Sequence, residues 1–101
     1  MNEENNEIIV QTLNQYLPEF LNDREEELAA IKNYNMNQNY EAIRKISHKW
    51  KGFCSPYGFE PLGDMAGKLE VQIKEGNTLL CRDTILKMER YLVDKRNQCG
   101  L

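Results

Sequence analysis

Histidine is nearly absent from this chain: among 101 residues only His48 carries an imidazole. The three cysteines, Cys54, Cys81 and Cys99, are far apart and form no CxxC pair, so a tetrahedral zinc site has no ligand set to draw on. An odd count also argues against a disulfide framework. Reduced cytoplasmic thiols are expected, Cys54 and Cys81 packed as small hydrophobes and Cys99 in a frayed tail. Long apolar runs are missing too, the longest falling far short of the ~20 residues that span a bilayer. The first seven residues, Met-Asn-Glu-Glu-Asn-Asn-Glu, are acidic and polar, the opposite of a secretory signal. With no leader and no flanking linker, a stand-alone cytoplasmic protein is the expectation. There is no glycine-rich phosphate loop and no room for an ATP-binding domain, which excludes a kinase. A net charge of −3 argues against a general nucleic-acid binder.

What the chain does contain is helical spacing and no useful strand-like alternation. Ile9, Leu13, Tyr16/Leu17 and Phe20/Leu21 recur at three and four, and Leu28, Ile31 and Tyr34 continue the stripe. Pro18 interrupts it, and proline either ends a helix or opens one. A first helix near 5–17 and a second near 18–34 are predicted, with one helix kinked at Pro18 as the alternative. Asn39 suits the N-cap of a third helix running from Tyr40 to Cys54, which Ser55-Pro56-Tyr57-Gly58 breaks. Pro61 opens a fourth that ends at Gly76, with Leu62, Met65/Ala66, Leu69 and Ile73 inward. Asn77 caps a fifth that turns Cys81, Ile85, Met88 and Leu92 inward, with Lys95 and Arg96 near its end. One all-α domain over 1–101 is expected, its core at about 18–95. Short connections between amphipathic helices predict an up-and-down, antiparallel four-helix bundle with an additional N-terminal helix. Because such a domain buries its own core, it is expected to be a monomer.

Charge is distributed unevenly. Residues 41–51 hold Arg44, Lys45, Lys49 and Lys51 against Glu41 alone, a local +3 that leaves −6 for the rest. With Ile43 set at zero and about 100° per residue, Ile46, Trp50, Phe53 and Cys54 gather about a buried face near ~330°, and His48 falls at about 140°. The imidazole therefore points to solvent. Arg44, Lys45, Lys51 and Gly52 are its neighbours at i−4, i−3, i+3 and i+4. Glycine inside a helix costs ~1 kcal/mol relative to alanine. At Gly52 it either marks fraying before the Ser-Pro break or keeps the surface beside His48 bare for an approaching molecule. A lone histidine is ordinarily an idle surface residue. Here a nitrogen lone pair available near neutral pH, ringed by cations, suits a nucleophile that takes on an anionic group. Those cations also steer an anionic partner.

His48-Lys49-Trp50-Lys51-Gly52 resembles the His-x-x-Lys-Gly signature of histidine-containing phosphotransfer (HPt) domains. Gly58, ten residues on, and Leu69-Glu70 on the following helix extend the resemblance, as does Tyr40-Glu41-Ala42-Ile43 at the entry to the histidine helix. It covers roughly residues 17–94. Trp50 and Phe53 depart from the smaller residues usual there, and both face inward. The resemblance implies a carrier that accepts a phosphoryl group from a receiver-domain aspartate and passes it to another, with no kinase activity of its own. It makes His48 the phosphoacceptor and Lys51 the residue that offsets phosphoryl charge. Arg44, Lys45, Lys49, Gly52, Ser55, Gly67 and Glu70 would face the partner, Glu70 reaching toward the imidazole from the adjoining helix. Gly63, Gly67, Glu70 and Lys74 share one shoulder of that helix, where the glycines serve either a channel or close helix contact. The implied partners are response-regulator receiver domains and, upstream, a hybrid sensor histidine kinase. No cofactor is implied, magnesium being brought by the receiver. Two other classes fit less: an adaptor or inhibitor that binds a receiver or kinase without being phosphorylated, and a helical interaction module whose histidine is incidental.

Overall fold

A computed structural model describes the backbone of residues 3–100 and the side chains of residues 16–100. All regular structure there is helical: α1 (Glu3–Met36), α2 (Tyr40–Phe53), α3 (Glu60–Lys74) and α4 (Thr78–Gln98), with a 3-10 turn at Ser55–Tyr57. Of the two readings of Pro18, a division into two helices or one helix running through it, the second is found: one helix contains Pro18 in its interior. No additional N-terminal helix separate from it is present among the described residues. Pro18 forfeits one backbone hydrogen bond, while Phe20, Leu21, Arg24, Leu28 and Ile31, all buried, anchor the turns that follow it. Ile9 and Leu13 lie outside the described side chains.

The other boundaries fall where capping chemistry puts them. Asn39 accepts a hydrogen bond from the Ala42 N–H at 3.3 Å, and Asn77 accepts one from the Leu80 N–H at 3.1 Å. Each satisfies a backbone donor that the first helical turn leaves without a partner. Pro61 lies in the first turn of α3, where its missing N–H is harmless. Gly58 and Gly76 close their turns at φ 82° and 72°, the left-handed region in which a side chain is strained.

The helices touch in a closed ring, α1 against α2, α2 against α3, α3 against α4 and α4 against α1. α2 and α4 each pack against both α1 and α3. Inside the ring Leu21, Ile31, Ile43, Trp50, Leu62, Leu69, Met88 and Leu92 are fully buried. Burial of each such side chain stabilises by about 1.5–3 kcal/mol. Trp50 also donates its indole N–H to Glu27 at 3.2 Å, tying α2 to α1. Arg24, buried beside that pair, lies over the rings of Phe20 and Phe53 at 4.7 and 4.4 Å and forms an ion pair with Glu27. Among the described residues no helix is long and apolar enough to cross a membrane.

Candidate functional site

The site is built on the outward side of α2, facing the adjoining edge of α3. Ile43, Ser47, Trp50 and Cys54 turn one side of α2 into the core. That fixes the helix's rotation and leaves the His48 side chain 69% exposed. Ser47 is the inward residue that apolar spacing overlooks: it is fully buried, and its hydroxyl has no hydrogen-bond partner among the described residues.

From α3, Glu70 reaches across to the imidazole, its Oε2 2.8 Å from Nδ1. A carboxylate oxygen only accepts, so Nδ1 carries the proton, and the neutral ring keeps its lone pair on Nε2. Lys51 stands one turn further along α2, its Nζ 4.0 Å from the other oxygen of Glu70. The Glu70 side chain is 22% exposed and so is held in place, whereas Lys51 is more than half exposed and free to reorient. His48, Lys51 and Glu70 thus form one cluster drawn from two helices.

Gly52 lies in the last turn of α2, which ends at Phe53. A Cβ placed there would meet nothing within 4 Å, and the surface beside His48 stays bare. Across the seam, a Cβ at Gly67 would touch only the Lys51 stem, at 3.7 Å. A Cβ at Gly63 would lie 3.6 and 3.7 Å from the backbone oxygens of Trp50 and Lys51. These are ordinary contact distances, so helix packing does not require glycine at either position, and Gly67 borders the cluster.

The basic surround is thinner than the charge count implies. Arg44 donates to both oxygens of Glu41, at 2.9 and 2.6 Å. This pairing raises the Arg44 pKa and lowers that of Glu41. Lys49 is engaged toward α1, 2.6 Å from Glu27, away from the cluster. Lys45 is exposed and has no ion-pair partner among the described residues. Ser55 is exposed at the start of the 3-10 turn, where its carbonyl accepts from the Gly58 N–H at 2.9 Å. Among the described residues Lys45 is thus the α2 cation without an ion-pair partner, and Lys51 has only the 4.0 Å pairing with Glu70.

A shallow depression of about 470 Å³ borders the cluster, lined by Glu41, Arg44, Glu70, Val71, Ile73 and Lys74. Val71 is half exposed there. It escapes a reading built on charge, its only signal being an apolar residue on the outer side of α3. Among the described residues no three His, Cys, Asp or Glu side chains converge as metal ligands.

Comparisons with protein-family models, curated proteins and solved structures find no match to this chain.

Proposed function

We propose that the protein is a phosphohistidine carrier of the HPt type, an up-and-down antiparallel four-helix bundle. In this reading it takes a phosphoryl group from one cytoplasmic receiver domain and delivers it to another. The observation that carries the reading is the exposed His48 ring, held at Nδ1 by Glu70 and open at Nε2. In the forward step the Nε2 lone pair attacks phosphorus, and the bond from phosphorus to the aspartyl oxygen breaks. The receiver's carboxylate leaves with that electron pair. The ring keeps its Nδ1 proton and becomes cationic, a charge that Glu70 offsets, while Lys51 offsets the phosphoryl oxygens. No proton has to move. The acyl phosphate is already activated, so position and charge are what the carrier supplies. Magnesium belongs to the receiver's acidic pocket in this scheme.

The test is to incubate the protein with radiolabelled phospho-receivers from the same cell and map acid-labile label. Label on His48, lost in His48→Gln, is the expected result. Label retained by that variant, or none from any receiver, overturns the proposal; tight binding without label selects the adaptor reading instead.

A further inference from the structure

The outer side of α4 carries an apolar line that stands exposed among the described residues. Leu79, Leu86 and Val93 are exposed by 76%, 53% and 52% and recur every seven residues. Seven residues is two helical turns, so they form one stripe about 21 Å long. The charges beside it are ordered. One edge carries Arg82 and then Glu89; the other carries Asp83 and then Arg90. Arg82 and Arg90 have no carboxylate within ion-pair distance among the described residues.

We propose that this face binds a second copy of the chain, α4 against α4 and antiparallel, about a two-fold axis at Leu86. Stripe residues equally far before and after Leu86 then meet, and each edge faces the same edge of the partner in reverse order. Leu79 packs on the partner's Val93, and Leu86 on the partner's Leu86. Arg82 comes opposite the partner's Glu89, and Asp83 opposite the partner's Arg90. Each of these four charges thus meets its opposite, Glu89 and Asp83 being shared with Lys32 and Lys87 of their own chain, and the two edges are self-complementary. A parallel pair also matches charges but sets Val93 against Val93 and aligns the two helix dipoles, which the antiparallel pair opposes. The stripe is narrower than a standard interface, so the dimer is weak and concentration-dependent. It replaces the monomer expected from core size alone.

Sedimentation equilibrium of the full chain from micromolar to millimolar concentration tests this. A monomer–dimer equilibrium is expected, with the dissociation constant raised about tenfold or more by Leu86→Glu. Leu86 is an exposed side chain, so this variant keeps the helical circular dichroism of the parent. Asp83→Arg alone should weaken the dimer, and Asp83→Arg combined with Arg90→Glu should restore it, because the swapped pair still meets in antiparallel register. A chain that stays monomeric at millimolar concentration, or a dimer indifferent to Leu86→Glu, overturns the proposal. A dimer that the double swap fails to restore overturns the antiparallel register.

Discussion

Glu70 and His48 are 22 residues apart in sequence and 2.8 Å apart in space, a carboxylate on α3 holding an imidazole on α2. The contact selects which nitrogen carries the proton. In the neutral ring the Nδ1–H form should dominate, although free histidine favours Nε2–H. Imidazole 15N shifts should show this in the parent and a return toward Nε2–H in Glu70→Ala. Identical tautomer populations in the two proteins would remove Glu70 from the site.

Lys51→Ala should slow phosphoryl transfer several-fold, or shorten the phosphohistidine lifetime by a similar factor. A larger effect is not expected, because the ammonium is more than half exposed and solvent screens its charge. The urea midpoint should not move. Unchanged transfer and lifetime would restrict Lys51 to a packing role beside Gly67.

Trp50→Ala should cost about 3–5 kcal/mol, a large share of a small domain's stability. The side chain is fully buried, and its loss also leaves Glu27 without the indole donor. Trp50→Phe should cost less, since Arg24 and Lys49 remain on Glu27. Urea unfolding followed by helical circular dichroism checks both, the variants having lost the only tryptophan.

Burial pushes the Cys54 thiol up from 9.0 to about 11. The unfolded thiol ionises first as pH rises, so the folded state loses stability between about pH 9 and 11 and loses none by this route below pH 9. Burial raises Cys81 and Tyr91 as well. Cys54→Ala should therefore flatten the alkaline fall in the urea midpoint without abolishing it. A slope identical to the parent's would mean that Cys54 is not the group responsible.

Much of the helical layout is legible in local chemistry. Asn39 and Asn77 mark helix starts because a side-chain amide at those positions has a backbone donor to satisfy. His48 faces outward because Ile43, Trp50 and Cys54 fix the rotation of α2. Pro18 leaves a divided or a continuous helix open, since its local cost is weighed against buried contacts made two or more residues later. The cations of α2 do mislead: Glu27 and Glu70, which pair with Lys49 and Lys51, come from other helices, and no count within one segment reveals them. Arg24 reads as a surface charge until Phe20, Phe53 and Glu27 close around it.

The imidazole and the apolar stripe belong to different helices, α2 and α4, whose main packing is on α1 and α3. Two copies joined α4 to α4 would each carry the imidazole on a helix outside the joined pair. Such a pair is bivalent, and a partner that itself has two docking heads would hold it by avidity, releasing it only when both contacts open together.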